Sequence, residues 1–153
     1  ALAACTVLTG FIPMLMDTGG NCGSQASVTV IRGISLQEIE FDDILKVVWK
    51  ECRVALLCGI TLAAVSFAKI MLFDGMLLGN SGITVSVAAG VSFTLLLTIV
   101  CSKIVGCIMP LVAKKLGFDP AVMASPFITT IVDAMSLIIY FSFAKMMLLK
   151  QMH

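Results

Sequence analysis

From Ala121 to Leu149 the chain reads AVMASPFITTIVDAMSLIIYFSFAKMMLL, an apolar run that holds one carboxylate, Asp133. A run of this length forms a helix that crosses a membrane, because lipid leaves no water to bond an irregular backbone. At about 1.5 Å per residue, Asp133 is expected roughly 20 Å from the start of the run, near mid-bilayer. A charge at that depth is costly, so it is read as a cation site.

The remaining sequence obeys the same constraint. With 59% hydrophobic and 12% charged residues and a mean hydropathy of +1.09, it exceeds the apolar share of about one half usual for soluble domains. Four apolar segments of spanning length fit into it, at about 1–30, 54–73, 83–112 and 120–149. This predicts an all-α integral membrane protein, a polytopic helical bundle of four transmembrane helices that forms a single transmembrane domain over 1–153. Pro13 and the segment DTGGNCGSQ (Asp17 to Gln25) interrupt the first span, which predicts a kinked or partly unwound helix. The second is closed by the turn signals Asp74-Gly75 and Gly79-Asn80-Ser81-Gly82. The fourth opens on Asp119-Pro120, a side-chain cap followed by proline at the first helical position. The polar connection 33–53 is expected along the membrane surface, with Ser35 and Glu38 as a capping box.

Basic residues give the orientation. Lys46, Lys50 and Arg53, with Arg32 beside them, lie in the first connection and Lys114 and Lys115 in the third, whereas Asp74 to Gly82 has none. The positive-inside rule therefore makes 33–53 and 113–119 cytoplasmic and turns the C-terminus outward, in a multi-pass protein of the plasma membrane. The N-terminus also faces outward, which predicts a further span before Ala1 and reads the opening ALAAC as a truncated or processed start. The lipid bilayer is the surrounding partner. A formal net charge of +1 leaves no broad basic surface, so nucleic acid is excluded as a partner. No nucleophile and base pair, phosphate loop or metal-ligand cluster is present, which argues against an enzyme. The six cysteines lack a CxxC spacing and are read as free thiols, and the ten methionines as flexible core rather than copper ligands.

On a helix turning about 100° per residue, Ser125, Thr129, Asp133, Ser136 and Tyr140 fall within an arc of roughly 80° and form one polar stripe. Pro126 extends it by freeing the carbonyl of Val122 from its helical partner. Carbonyls and a carboxylate suit a hard cation such as Mg²⁺ or Ca²⁺. On the first span Thr18, Asn21, Gln25 and Thr29 form a second stripe. Gly19 and Gly23 permit close helix approach there, and the glycines of the TGGN segment, Gly19 and Gly20, let backbone face a pore. Together the stripes predict a path between the first and fourth spans.

Blander uses stand beside this reading. Asp133 could pair with Lys103 or Lys145 to fix helix packing, or stay protonated. Asp17 is either a cap on its glycine turn or a secondary cation site. The acidic group Glu38, Glu40, Asp42 and Asp43 is a solvated loop or a cytoplasmic mouth that attracts cations. A single carboxylate against a divalent charge predicts a two-fold dimer with paired Asp133 side chains, and a reluctantly dehydrated Mg²⁺ held through its waters.

The segments PMLMDTGGNCGSQASVTVIRG (Pro13 to Gly33) and GFDPAVMASPFITTIVDAMSLIIYF (Gly117 to Phe141) resemble the membrane domain of MgtE-type magnesium transporters, and the likeness covers essentially the whole chain. The resemblance implies a homodimeric Mg²⁺ channel with five spans per subunit, of which this chain holds the second to fifth, and a pore on the two-fold axis. It implies that Asp133 from each subunit holds hydrated Mg²⁺, with Thr129 near the same ion and Thr18 to Asn21 along the pore wall. Family members commonly add a cytoplasmic helical domain, paired CBS domains and a plug helix that close the pore. A regulatory cytoplasmic domain is thus expected in the full-length chain and is absent from this sequence. Two other functions fit the same residues: a Na⁺- or H⁺-coupled divalent cation exchanger, and a non-conducting membrane assembly subunit.

Overall fold

Proline has no N–H to donate, so a helix begins readily at Pro13 but does not run through it intact. The computed structural model, which describes residues 7–79, 82–123 and 126–152, starts its first long helix there, after a helical turn at 7–9 and a break at Gly10 and Phe11. Four long helices are present among the described residues: α1 (Ile12–Ser35), α2 (Ile44–Lys69), α3 (Val85–Lys115) and α4 (Pro126–Met152). Short 3-10 turns at Phe41–Asp43 and Pro120–Met123 precede α2 and α4. No strand occurs among the described residues.

The kink falls at the proline, but the expected unwinding at DTGGNCGSQ does not occur, and the segment is helical throughout. Glycine costs a helix about 1 kcal/mol relative to alanine. Here Gly19, Gly20 and Gly23 are buried in α1, so close tertiary packing offsets that weak propensity.

The connection from α1 to α2 is shorter than expected. Residues 44–53, assigned from the sequence to a surface connection, are the first turns of α2. Ser35 forms no capping box with Glu38; it is the last residue of α1, and its hydroxyl donates to the carbonyl of Ile31 at 3.0 Å. The box is built instead by Glu40 and Asp43, with the Glu40 N–H donating to Asp43 Oδ2 at 3.3 Å. At its far end α2 does not stop at Asp74-Gly75 but continues as a π-helix over Ile70–Leu77. The wider turn sets residues five apart on one face, and Lys69 and Asp74 use it to form a 2.7 Å ion pair.

α3 is the central element, with α1, α2 and α4 all packed on it. Its start is capped by Thr84, whose hydroxyl accepts from the Val87 N–H at 3.3 Å. It buries Ser92, Thr94, Thr98, Ser102 and Lys103, whereas α2 exposes Leu56, Leu57, Ile60, Leu62 and Val65. Polar groups inside and large aliphatic groups outside are the arrangement that lipid demands. Three stretches, Phe41–Leu77, Val85–Lys115 and Pro126–Met146, are long and apolar enough to cross a membrane. α1 is not among them, although its 24 residues reach the necessary length, because Asp17 and its run of polar residues lower its hydropathy.

Tyr140 ties α4 to the segment before the α1 break: it is 2% exposed, and its hydroxyl donates to the carbonyl of Leu8. Tyr140→Phe removes this donor, while the Leu8 carbonyl keeps the Phe11 N–H at 3.1 Å, so the expected cost is that of one hydrogen bond, about 0.5–1.5 kcal/mol. Thermal unfolding in detergent should show a lower midpoint with the helix content of the folded state unchanged.

Candidate metal site

One turn of α1 and one turn of α4 enclose a hollow of about 160 Å³ lined by Met16, Asp17, Gly20, Asn21, Thr129 and Asp133. Spacings of three and four residues put Asp17, Gly20 and Asn21 on one face of α1, and Thr129 and Asp133 on one face of α4. The neighbouring face of α1 holds them there. A Cβ at Gly19 would lie 2.8 Å from Thr98 Cγ2 and 3.1 Å from Ser136 Oγ, and one at Gly23 would lie 3.1 Å from the Ser102 carbonyl oxygen. α1 therefore sits directly on the backbones and short side chains of α3 and α4. On the groove side a Cβ at Gly20 would lie 3.2 Å from Thr129 Cγ2 and 3.8 Å from Asp133 Oδ1, so the missing side chain gives the carboxylate access to the α1 backbone.

The depth of Asp133 differs from the expectation. α4 starts at Pro126, not at the Asp119-Pro120 cap, where Asp119 Oδ1 accepts from the Ala121 N–H at 2.9 Å to set only a 3-10 turn. Asp133 consequently lies about two turns, or 10 Å, from the start of its helix. Val122 belongs to the preceding 3-10 turn, residues 124–125 lie outside the described residues, and Pro126 stands in the first turn of α4. Its own carbonyl accepts from Thr129 Oγ1 at 3.0 Å and Thr130 Oγ1 at 2.9 Å.

The expected stripes divide. Thr129 and Asp133 line the hollow with Gly20, Asn21 and Asp17. Ser136 and Tyr140 are buried between helices of the same chain, the Ser136 hydroxyl donating to the Val132 carbonyl at 2.6 Å. Gly19 is likewise a packing residue, Thr18 is half-buried beside the hollow and Gln25 is exposed beyond it. Thr29 lines a separate hollow of about 260 Å³ with Glu38, Asp43, Lys46, Lys50 and Glu51. Ser125 lies outside the described residues.

Pairing of Asp133 with Lys103 is overturned. Lys103 Nζ lies 2.9 Å from Glu51 Oε2, with the two side chains only 9% and 10% exposed. Lys145 is exposed, and no ion pair to Asp133 or Asp17 occurs among the described residues. Sequence reasoning missed Glu51 and Met16. The signal for Glu51 was Lys103 itself, since an ammonium group inside an apolar helix requires a counter-charge.

The hollow presents hard oxygen and amide donors, which suit Mg²⁺, Ca²⁺ or Mn²⁺ rather than soft metals. No group of three or more His, Cys, Asp or Glu side chains placed for direct ligation occurs among the described residues. The site fits an ion held through its waters, each of which occupies about 30 Å³ in the liquid. The five cysteines of the described residues are all free thiols.

An aliphatic exterior, an apolar interior that also buries hydroxyls and one ion pair, and two carboxylates in an open groove define an integral membrane protein of the helical-bundle class. The profile of the MgtE family, described as a divalent cation transporter, matches residues 12–143, and the chain belongs to that family. It is 34% identical over 149 residues to the magnesium transporter MgtE of Thermus thermophilus, covering 96% of this chain and 31% of that protein. Identity to the magnesium transporter MgtE of Bacillus subtilis is also 34%, over 94% of this chain and 30% of the relative. The magnesium transporter MgtE of Enterococcus faecalis is 30% identical over 92% of this chain and 29% of its own length. The chain thus spans about three tenths of these relatives. The family resemblance carried by the two quoted segments holds, and the family is one of transporters, not enzymes.

Proposed function

We propose that this chain forms a pathway for Mg²⁺ across the plasma membrane, with Asp133 as the site for the hydrated ion and Thr129 beside it. The observation that carries the reading is Asp133 itself, a carboxylate without an ion-pair partner among the described residues, in the hollow between α1 and α4. The three relatives named magnesium transporters support Mg²⁺ as the cargo. α1 is the fourth span and the least apolar because its polar side meets a water-filled path. The groove is open on one side, so a second copy related by a two-fold axis would close it into a pore. The α1–α2 and α3–α4 connections, flanked by Arg32, Lys46, Lys50 and Arg53 and by Lys114 and Lys115, face the cytoplasm.

Mg²⁺ flux into proteoliposomes that contain a fluorescent Mg²⁺ indicator tests the reading. Loss of the charge-assisted contacts in Asp133→Ala should lower flux at least about tenfold, with the oligomeric state unchanged. Unchanged flux in the folded variant would remove Asp133 from the path. Wild-type flux that requires a Na⁺ or pH gradient would favour a coupled exchanger, and a wild type that does not conduct would favour an assembly subunit.

A further inference from the structure

Between Arg53 and Lys69, about 24 Å along its axis, α2 carries no charged residue. That stretch fits within the hydrocarbon core, so the turns before it stand at the level of the lipid headgroups. At about 100° per residue, Trp49, Arg53, Lys46 and Lys50 fall within an arc of roughly 100°, and Leu56 and Ile60 carry the same side of the helix on into the core. All six side chains are exposed, because α2 packs chiefly on α3 by its other side. The lipid-facing surface of α2 is therefore continuous, but it begins with a basic and aromatic patch.

The charges of the patch are unequal. Lys46 is held by Asp43 at 2.8 Å, whereas Lys50 and Arg53 have no ion-pair partner among the described residues. The carboxylate on the opposite side of the same turn, Glu51, is taken by Lys103. Glu38 lines the hollow of Thr29 and Lys50, which neither Arg53 nor Trp49 lines. The Arg53 guanidinium lies 5.8 Å from the centroid of the Trp49 ring, one turn nearer the start of the helix. The long side chain thus reaches back from the edge of the core to the headgroups, over the flat face of an aromatic ring. A guanidinium at that level without a counter-charge in its own chain matches a phosphate, whose oxygens its planar fork fits, and tryptophan favours the same boundary.

We propose that Arg53 and Lys50, with Trp49 beside them, bind the phosphate of an acidic phospholipid of the phosphatidylglycerol class in the leaflet around the start of α2. The acyl chains of that lipid lie along Leu56 and Ile60. Binding fixes the depth and rotation of α2, the helix whose opposite side carries Glu51 to Lys103.

Trp49 is the single tryptophan of the chain, so its fluorescence reports on the patch alone. The protein is reconstituted into phosphatidylcholine vesicles with rising fractions of phosphatidylglycerol brominated near the top of its acyl chains, and into the reciprocal set with brominated phosphatidylcholine. Bromine quenches tryptophan on contact, and the two sets together give the relative binding constant of the lipids at Trp49. A basic residue near an anionic lipid surface contributes about fivefold, so the constant should favour phosphatidylglycerol at least about tenfold in wild type. It should fall to near one in the combined Arg53→Gln, Lys50→Gln protein, and Arg53→Lys should keep much of the preference. Inorganic phosphate added to the vesicles should leave the quenching unchanged, because the occupant is held in the bilayer by its chains. A wild-type constant near one would overturn the inference. A full preference in the combined variant would overturn the assignment to Arg53 and Lys50. Absence of quenching by either lipid would overturn it as well, and would mean that protein covers this side of α2. Loss of the preference in the presence of inorganic phosphate would reassign the patch to a soluble anion.

Discussion

Gly106→Val should leave little correctly folded protein. A Cβ at Gly106 would fall on the carbonyl oxygen of Gly23, and its next neighbours are the carbonyl carbon and Cα of the same residue. All three are backbone atoms, so no rotamer change can relieve the overlap, and α1 must move off α3. Helix crossings of this closeness in membranes depend on residues without side chains. Separation would open the cluster of Ala26, Val30, Ile34, Cys107 and Leu111 that lies along the same contact. It would also tilt the turn carrying Asp17, Gly20 and Asn21 away from Asp133. Overpacking usually costs about 1–3 kcal/mol, and a backbone-on-backbone overlap belongs at or above the top of that range. The expected result is a sharp loss of monodisperse protein on size-exclusion chromatography, and a much lower unfolding midpoint for what remains. Gly59→Ala is the control, since its Cβ would meet Leu96 Cγ at 3.4 Å, an ordinary contact, and the variant should behave like wild type.

The second large effect belongs to the ion pair between α2 and α3. Glu51 and Lys103 are 52 residues apart in sequence and meet at 2.9 Å with both side chains almost fully buried. Removing one partner strands a charge in a low-dielectric interior, which typically costs about 3–5 kcal/mol, whereas exchanging both for apolar residues of similar volume is often neutral. Glu51→Gln and Lys103→Met should therefore each lower the unfolding midpoint strongly, while the combined Glu51→Leu, Lys103→Met protein recovers most of the loss. The double variant should also retain Mg²⁺ binding, because the pair fixes two helices and does not line the hollow of Asp133. A double variant as unstable as the singles would show that the pair does more than neutralise its own charges.

Particular residues show how far the sequence could be read. Pro13 was legible as an interruption, and the structure breaks just before it at Gly10 and Phe11, whereas the Thr84 cap and the basic last turn of α3 were local signals that the hydropathy reading did not use. Asp74-Gly75 and Ser35 with Glu38 carry equally strong local signals and fail, because Lys69 takes the Asp74 carboxylate within a continuing π-helix and the Ser35 hydroxyl donates back to the Ile31 carbonyl. The polar stripe of α4 was legible as a stripe, but periodicity defines only a face. It does not reveal that Ser136 and Tyr140 turn towards Gly19 and Leu8 while Thr129 and Asp133 open to the groove.

The sequence by itself determined the class: a membrane-embedded helical bundle of the MgtE family with one carboxylate in its last helix. Lipid permits few backbone solutions, and hydrophobic run length selects among them. Only the tertiary structure decided the partners of the charges. Lys103 went to Glu51 rather than to Asp133, and Asp17 came to share the hollow with Asp133. Such pairings depend on which helices touch and at what height. The glycine contacts of α1 with α3 and α4 set that arrangement through steric fit between segments remote in sequence, which no local pattern encodes.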